Sequence, residues 1–459
     1  IISMDFAMKM LRSYFLDKAG KEIEQKSSSE IFQKIINFDV SKTPKSSGVL
    51  ISTVREFETV REFFNSASLA LLVDIPFILL FLMVINAVSG PIVWVPATVV
   101  CFVFIFGLVL QPFFRRISNA SHEGQIAKQS VLGEMINGLE TIKTVSGSEV
   151  LKNRWMVSVG EQSVTGIRSR ILSQLATNFA GMGQQVSQLG IVGFGVTQII
   201  AGDMSMGALI ASVILSGRTL APLGQIGGLF GRIHNATTAF KTVNEFMKQN
   251  SHEEDAAYFF PRTSIKGKIE LSEVNFSYPE QSEPILKDIN LSVSAGEKLA
   301  ILGRIGSGKT TILKLMLGLY HVEQGTIFVD GANIKQLRPQ DIRRQFGVVN
   351  QSSYLFSGSI RENISFGLDV VKEEEILEAA RISTTDEFIN YLPNGYDYQI
   401  SEGGKELSGG QRQAICLARA IVRKPSVILL DEPTSAMDLT TERKVISNLR
   451  GHFAQQTLI

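Results

Sequence analysis

The chain contains 459 residues, which is enough for two or more domains of ordinary size. Its 45 Lys and Arg residues nearly balance its 44 Asp and Glu residues, and the net charge of +1 argues against a strongly basic, nucleic-acid-binding surface. The two cysteines, Cys101 and Cys416, lie far apart in the sequence, so we expect free thiols rather than a disulfide framework or a cysteine metal site.

Four segments of the first half are predicted to be membrane helices. Residues 67–88 and 91–113 are strongly apolar, and about 20 such residues suffice to cross a bilayer as a helix. A short polar turn separates these two segments and makes them a hairpin. Residues 171–200 and 205–230 are less apolar, a composition that also suits soluble helices, and we interpret them as helices that face other protein rather than lipid.

Lys and Arg residues are distributed unevenly around these segments. They are frequent before residue 67 and between residues 113 and 171, whereas the short turns near Ser89 and Gly202 contain none. Because cytoplasmic connections are enriched in Lys and Arg, the long connections are predicted to be cytoplasmic and the turns external. The long connections are also amphipathic, which predicts that the membrane helices continue into the cytosol.

Two polar features lie within the membrane segments. Asp74 lies in the first one, where a carboxylate is costly, and it either faces the helix bundle or lies close to the hydrated membrane edge. Five positions of segment 171–200 step by four and three residues and share one helical face, which we call the polar face. These positions are Gln174, Asn178, Gly181, Gln185 and Gln188. The polar face either lines a pathway for cargo or supplies hydrogen bonds between helices.

Residues 246–267 are predicted to be a linker, and residues 268–459 a second domain with two glycine-rich motifs. The first motif fits the pattern of a phosphate-binding loop, whose backbone N–H groups point at phosphate oxygens. It consists of Gly303, Arg304, Ile305, Gly306, Ser307, Gly308, Lys309 and Thr310. Lys309 is expected to contact the β- and γ-phosphates and Thr310 a Mg²⁺ ion, and Thr311 completes the predicted nucleotide-binding set.

The second motif and two strand ends supply further candidate residues. The motif consists of Leu407, Ser408, Gly409, Gly410 and Gln411. Its last residue is predicted to begin a helix, whose N–H groups would face an anion. An apolar run typical of a buried parallel strand ends at Asp431 and Glu432, and a second strand-like run precedes Gln351. Each strand end is also compatible with a solvated turn, but its position relative to the glycine motifs favours a function.

In this order, the two motifs and the Asp-Glu pair make the second domain resemble the ATP-binding cassette (ABC) ATPases. The resemblance implies ATP and Mg²⁺ as cofactors, with Thr310, Gln351 and Asp431 at the metal. It also implies that Glu432 is the general base for the attacking water and that Gln351 acts with it in catalysis. Tyr278 resembles the aromatic residue that stacks on adenine, although an aromatic residue beside proline is also common in packing.

The second motif resembles the signature of the ABC family, and we refer to it as the signature. In this family two cassettes pair head to tail, and each ATP lies between the phosphate-binding loop of one chain and the signature of the other. Because the chain carries one set of motifs, the resemblance implies a homodimer. It further implies that Asp438 touches the partner cassette and that Glu402 touches coupling segments of the membrane domain, expected near Thr43–Leu50 and Ser146–Lys152.

A membrane domain at residues 1–245 followed by a cassette resembles an ABC exporter. The implied fold is an all-α polytopic membrane domain with long intracellular helices, followed by an α/β P-loop ABC ATPase domain. Exporters of this family carry six membrane helices in each chain, so we expect a further segment before Ile1. The switch histidine of the family is expected after Ile459, and His452 is expected to be a surface residue of a helix.

The expected function is hydrolysis of ATP to ADP and phosphate, coupled to export across the inner membrane, with the cassette on the cytoplasmic side. Residues Leu72–Phe77 resemble a segment of type I secretion exporters, which favours a polypeptide cargo and implies a periplasmic adaptor, an outer-membrane channel and membrane lipids as partners. A lipid or drug exporter of the same fold is the alternative. The apolar segments argue against a soluble ABC ATPase of DNA repair or translation, and no nucleic-acid partner is expected. The intact Glu432 argues against an ATP-gated channel or a regulatory subunit without transport.

Overall fold

The structure is a computed structural model. It describes residues 2–42, 55–61, 63, 67–248, 259–279, 281 and 283–459. The chain divides into two compact units. The first comprises Ile1–Ile36 and Pro44–Gln249, and the second comprises Asn37–Thr43 and Asn250–Ile459.

The first unit is built from helices. In chain order they are α1 (Ile2–Ile36), α2 (Ala67–Ser89), α3 (Trp94–Asn137), α4 (Leu139–Thr144), α5 (Ser148–Ile200), α6 (Met206–Leu220) and α7 (Ile226–Lys248). With 44 and 53 residues, α3 and α5 are about 66 and 80 Å long, more than twice the thickness of the bilayer hydrocarbon. The prediction that membrane helices continue far beyond their apolar segments is therefore confirmed for both.

Two apolar segments do not coincide with single helices. The predicted segment 91–113 covers a 3₁₀ turn at Gly90–Val93 and then only the first half of α3. The predicted segment 205–230 is divided by a second 3₁₀ turn at Ala221–Gln225, which contains a proline that lacks the N–H of a regular helix. By length and apolar composition, two stretches of the described residues qualify as candidate membrane spans, Pro76–Asn137 and Met206–Leu223.

Small residues bring the helices of the first unit close together. A Cβ atom on Gly195 of α5 would lie 2.3 Å from Leu209 Cδ1 of α6, so any larger residue would force the Leu209 side chain to move. Ser187 of α5 and Ser216 of α6 are fully buried, and their hydroxyl oxygens lie 3.1 Å apart. The hydroxyl groups of Ser89 and Ser212 form a second such hydrogen bond. Glycine contacts and serine pairs thus join the helices, as is common in membrane bundles.

The polar face of α5 is largely separate from the glycine contacts and serine pairs that join the helices. Gln174, Asn178, Gly181 and Gln185 are exposed, whereas Ala176, Ala180 and Ser187 of the same helix are buried. Within the part of the chain that the structure describes, no side-chain hydrogen bond involves the three exposed amides. Gln188, the fifth member, is half-buried beside Gly217 of α6, so helix–helix hydrogen bonding inside one chain does not account for the exposed part of the polar face.

The bend between α3 and α5 lies earlier than the sequence predicts. Gly138 ends α3, the short helix α4 follows, and a turn contains Ser146 at φ 56°. The predicted position at Ser146–Lys152 overlaps this bend only at its first two residues, because α5 begins at Ser148. The other predicted bend, Thr43–Leu50, lies outside the described residues, as does the side chain of Asp74.

The second unit is an α/β structure. Its strands are β1 (Ile269–Phe276), β2 (Leu286–Val293), β3 (Gln324–Val329), β4 (Ala332–Asn333), β5 (Phe346–Val349), β6 (Gly358–Ser359), β7 (Gln399–Ile400), β8 (Val427–Leu430) and β9 (Thr457–Leu458). Its helices are α8 (Lys309–Met316), α9 (Pro339–Gln345), α10 (Ile360–Ile364), α11 (Glu373–Ile382), α12 (Thr385–Ile389), α13 (Gly409–Ile421) and α14 (Leu439–His452). The strand orders are β2-β1-β3-β4 in an antiparallel sheet, β5-β8-β9 in a parallel sheet and β6-β7 in a short antiparallel pair.

The parallel sheet determines where the candidate residues meet. Val349 of β5 pairs with Leu430 of β8, so the residues that follow these two strands emerge side by side. Leu299 N donates to Leu458 O at 2.8 Å, which places the stretch before the phosphate-binding loop next to β9. Cys416 is a buried free thiol of α13, and Cys101 is an exposed free thiol of α3, as predicted.

Candidate active site

Glycines shape the phosphate-binding loop at the start of α8. Gly306 and Gly308 have φ values of 81° and 90°, a region that other residues adopt only with strain. A Cβ atom on Gly308 would also lie 2.6 Å from Leu286 Cδ2, and one on Gly303 would lie 2.6 Å from Ser307 Oγ. The loop therefore leaves its backbone uncovered by side chains at the N-terminus of a helix, where backbone N–H groups and the helix dipole favour an anion.

Lys309 is held over this loop. Its Nζ donates to the carbonyl oxygens of Gly303 at 2.9 Å and Arg304 at 3.1 Å. The neighbouring Arg304 and Ile305 are exposed. The ammonium group thus lies at the mouth of the loop, where it can exchange carbonyl oxygens for phosphate oxygens.

An oxygen pair next to the loop suits a magnesium ion. Thr310 Oγ1 donates to Asp431 Oδ2 at 2.7 Å, which joins the start of α8 to the end of β8. Among the described residues, no group of three or more His, Cys, Asp and Glu residues could hold a metal. Magnesium is usually bound by one or two carboxylates together with substrate phosphates, so the hydroxyl and carboxylate fit its usual ligand set.

Two side chains meet at the edge of the parallel sheet. Gln351 Nε2 donates to Glu432 Oε2 at 3.3 Å, and each residue lies two positions after the end of a paired strand. Glu432 adopts φ 51°, a left-handed conformation that costs a non-glycine residue about 1–3 kcal/mol. Such strain persists only where the surroundings impose it, and it is common at functional positions.

Gln413 of α13 imposes part of this conformation, and the motifs alone did not indicate it. Gln413 is 4% exposed, and its Nε2 donates to the Glu432 carbonyl oxygen at 3.3 Å and to Ser435 Oγ at 2.9 Å. Its Oε1 accepts a hydrogen bond from Ala436 N at 2.9 Å. The only available signal in the sequence was its position two residues after Gln411. The helix that begins at the signature therefore also supports the loop after β8.

The signature forms the capped N-terminus of α13. Ser408 Oγ accepts from Gln411 N at 3.2 Å, and Gln411 Oε1 accepts from Ser408 N at 2.8 Å, which is a capping box. The helix begins at Gly409, two residues earlier than predicted, and Leu407 is buried beneath it. A Cβ atom on Gly410 would lie 2.9 Å from the carbonyl oxygen of Ala436. Glycine is required for this close approach.

Tyr278 lies beside α8 in a group of aromatic rings. Its hydroxyl oxygen is 3.2 Å from Thr311 Oγ1, and its ring makes edge-to-face contacts with Phe276 and Tyr320 at centroid distances of 5.1 Å each. Lys314 Nζ lies 5.8 Å from the centroid of the Tyr278 ring. The ring is half-buried, so one part of it packs and another part remains accessible.

Three other predicted residues have local partners. Asp438 accepts hydrogen bonds from Thr440 N at 2.9 Å and from Thr441 N at 3.0 Å, so it is the N-cap of α14. The Thr441 hydroxyl group also donates to this carboxylate, and these hydrogen bonds lower the pKa of Asp438. Glu402 Oε1 accepts from the hydroxyl group of Tyr354 at 3.3 Å. His452 is exposed at the end of α14.

Comparisons with known proteins agree with this architecture. The family described as "ABC transporter transmembrane region" matches residues 1–223, and the family described as "ABC transporter" matches residues 286–435. A bacterial Atm1-family ABC exporter with ATP bound has a similar fold, with a TM-score of 0.89 and 21% sequence identity over 99% of this chain and 80% of that one.

Curated relatives are similar along the whole chain. The cyclolysin secretion/processing ATP-binding protein CyaB of Bordetella pertussis is 28% identical over 98% of this chain and 63% of its own length. The toxin RTX-I translocation ATP-binding protein of Actinobacillus pleuropneumoniae is 28% identical over 100% of this chain and 65% of its own length. The chain thus spans slightly less than two thirds of these relatives. With a transporter membrane region and an ATP-binding domain that both match, the chain belongs to the ABC transporter family.

Proposed function

We propose that two copies of the chain form an exporter that hydrolyses ATP and moves polypeptides across the inner membrane. The observation that carries the proposal is the meeting of Gln351 and Glu432 beside the Thr310–Asp431 pair, in a chain that also contains a transporter membrane region. The proposed domains are the membrane domain at 1–245, the linker at 246–267 and the cassette at 268–459.

The proposed chemistry assigns a role to each residue of this group. Lys309 binds the β- and γ-phosphates, and Thr310 and Asp431 are the residues that would hold Mg²⁺ together with Gln351. When bound, this ion would offset the negative charge that develops on the transferred phosphoryl group. Glu432 accepts the proton of the attacking water, and Gln351 orients the Glu432 carboxylate through the 3.3 Å hydrogen bond.

The proposed assembly contains two copies of the chain. Each ATP would lie between the phosphate-binding loop of one copy and the signature of the other, and the capped N-terminus of α13 offers N–H groups to an anion. Asp438 would approach the partner from the cap of α14, and Glu402 would serve coupling to the membrane domain. The adenine would stack on the accessible part of Tyr278.

Two observations favour a polypeptide as the cargo. The names of the relatives describe toxin translocation and cyclolysin secretion, and those relatives are similar along the whole chain. The polar face of α5 carries uncharged amides that are exposed, and amides both donate to and accept from a peptide backbone. A periplasmic adaptor and an outer-membrane channel are the proposed further partners. A lipid or drug exporter is the second candidate, because it has the same fold.

Comparing exported molecules separates the two candidates. The full-length protein is expressed in its own host either unchanged or with Glu432→Gln, and the medium is analysed for secreted polypeptides. We expect one or a few polypeptides to disappear from the medium of the variant and to accumulate inside the cells. An unchanged set of secreted polypeptides, with altered membrane lipids or drug resistance, would support the second candidate instead.

The proposed orientation predicts which turns are accessible from outside. In a protein whose Cys101 and Cys416 are replaced by Ala, single cysteines at Pro91 and Asp203, both exposed, are expected to react with a membrane-impermeant thiol reagent in intact cells. A single cysteine at Lys152, in the Lys-rich connection, is expected to react only after the cells are opened. The opposite pattern would reverse the orientation and place the cassette away from cytosolic ATP.

Substitutions in the polar face are expected to change the response to cargo without changing thermal stability. Gln185→Leu is expected to change cargo stimulation of the ATPase with little change in thermal stability, because Gln185 is exposed and forms no hydrogen bond among the described residues. Ser187→Ala is the control on the same helix, and it removes the buried bond to Ser216, worth about 0.6 kcal/mol in a membrane bundle. If Gln185→Leu lowers the melting temperature and leaves cargo stimulation unchanged, the polar face serves helix association.

A further inference from the structure

The loop after Gln351 is attached to α13 by one arginine. Arg419 Nη1 donates to the carbonyl oxygen of Tyr354 at 2.9 Å, and Tyr354 lies three residues after Gln351. Arg419 also donates from Nε to the carbonyl oxygen of Asn363 and from Nη2 to its Oδ1, both at 2.8 Å. The planar guanidinium holds three acceptors at once, which the single ammonium group of lysine does not reproduce.

Asn363 completes this attachment from within the core. It is 1% exposed, its Oδ1 accepts from Phe356 N at 2.9 Å, and its Nδ2 donates to Phe356 O at 2.8 Å. The guanidinium of Arg419 lies 5.6 Å from the centroid of the Phe356 ring. Tyr354 and Phe356 are therefore both fixed by one unit, and we call Arg419 and Asn363 the clamp.

The same loop is also tied to the turn that precedes the signature. Gly403 N donates to Leu355 O at 2.9 Å, and the hydroxyl group of Tyr354 donates to Glu402. Leu355 is fully buried, and Leu407, at the start of the signature, donates from its N to the carbonyl oxygen of Gly404 at 3.0 Å. The loop after Gln351 is therefore held on one side by α13, which begins at the signature, and on the other side by the turn that precedes the signature.

A continuous connection therefore runs from the signature to the candidate catalytic pair. Ser408 and Arg419 are eleven residues apart along α13, or about 16 Å, and the residues between them pack in the core. A packed helix of this length is stiff, so we expect a displacement at Ser408 to be passed through Arg419 to the backbone of Tyr354. The loop is short enough that this displacement reaches Gln351, which contacts Glu432.

We propose that the clamp positions the Gln351–Glu432 pair of one chain in response to the ATP bound by its partner. The inference rests on the proposed function, in which the signature serves the partner's ATP whereas Gln351 serves the chain's own. Arg419 and Asn363 are positioning residues, because they act through Gln351. With two coupled sites in each dimer, ATP hydrolysis is expected to show a Hill coefficient above one and at most about two.

A dimer with one active site tests this direction of coupling. Two differently tagged full-length copies are co-purified, one with Glu432→Gln and the other with an intact Glu432, so that only the second copy hydrolyses its ATP. Arg419→Lys is then placed in either copy. We expect the rate to fall about 2- to 30-fold when it is in the copy with the intact Glu432, and to remain unchanged when it is in the other copy.

Each alternative outcome has a defined meaning. A fall only when Arg419→Lys accompanies Glu432→Gln, or an equal fall in both arrangements, would mean that Arg419 merely holds the signature against the partner's ATP and would overturn the proposal. Unchanged rates in both arrangements would also overturn it. Arg423→Lys is the matched control, because Arg423 lies just beyond α13 and donates to the carbonyl oxygen of Gly367, away from the loop.

Two further measurements keep the test decisive. In homodimers, Arg419→Lys is expected to lower the Hill coefficient towards one, whereas Arg423→Lys leaves it unchanged. If Arg419→Lys does not fold, Asn363→Asp replaces it in the same designs, since it keeps the Oδ1 acceptor for Arg419 but removes the Nδ2 bonds to the carbonyl oxygens of Phe356 and Ser359, and unchanged values would overturn the proposal. An unmodified protein that is monomeric or does not hydrolyse ATP would instead contradict the proposed function itself.

Discussion

Glu432→Gln is expected to lower the rate of ATP hydrolysis by about 10²- to 10⁴-fold and to leave ATP binding intact. Glutamine has nearly the same shape as glutamate, but it cannot accept the proton of the attacking water. Lys309, Thr310 and Asp431 are unchanged by this substitution, so the contacts proposed for the phosphates and the magnesium ion remain. Gln413 still holds the backbone at position 432, because it bonds to the carbonyl oxygen rather than to the side chain.

Phosphate release and ATP binding, measured on one preparation of full-length protein, check this expectation. Glu442→Gln is the matched control, because the Glu442 carboxylate accepts a hydrogen bond from Thr434 at 3.0 Å in the neighbouring loop and does not contact Gln351. We expect the control to retain most of its activity. Normal hydrolysis by Glu432→Gln would remove Glu432 from the role of general base.

Lys309→Ala is expected to weaken ATP binding itself, by about 10- to 150-fold in Kd. This range corresponds to the loss of a hydrogen bond to a charged group, worth about 1.5–3 kcal/mol. The substitution frees the carbonyl oxygens of Gly303 and Arg304, which are exposed and can bind water, so we expect little loss of stability. Binding of a fluorescent ATP analogue and thermal unfolding measure the two quantities separately.

A lysine far from the loop provides the control for this prediction. Lys444 of α14 forms a surface ion pair with Glu387 at 3.0 Å, and such exposed pairs contribute only about 0–1 kcal/mol to stability. Lys444→Ala is therefore expected to bind ATP as the unmodified protein does. Equal affinities of Lys309→Ala and Lys444→Ala would show that the loop does not bind phosphate through Lys309.

Local motifs predicted those features of the fold that depend on a few consecutive residues. The phosphate-binding loop is of this kind, because the glycine spacing itself dictates the turn before α8. The apolar run before Asp431 likewise predicted a strand that ends at the site. That Gln351 and Glu432 act together was implied only by the resemblance to the ABC ATPases, and their proximity agrees with the rule that parallel strands deliver their carboxyl ends to one edge of a sheet.

Features that depend on distant contacts could not be predicted in this way. The left-handed conformation of Glu432 arises from the surrounding fold and from Gln413 on another helix, and nothing next to Glu432 in the sequence indicates it. Arg419 contacts Asn363, 56 positions away in the chain.

The sharing of each ATP between two copies of the chain is the central claim, and a mixed dimer tests it most directly. Both copies carry Glu432→Gln so that bound ATP is retained, and one copy also carries Lys309→Ala. Ser408→Asp, which places a carboxylate in the signature and keeps a capping side chain at the start of α13, is added either to that same copy or to the other one. Retained ATP is then counted for each purified full-length dimer.

Shared sites predict opposite results for the two arrangements. When Lys309→Ala and the signature substitution are on different copies, both impair the same ATP site. The other ATP site is intact, and the dimer is expected to retain one ATP. When both substitutions are on the same copy, one ATP site has an altered phosphate-binding loop and the other has an altered signature. The dimer is then expected to retain no ATP. Equal retention in the two arrangements would contradict the account, because it would mean that each chain binds its ATP without the signature of its partner.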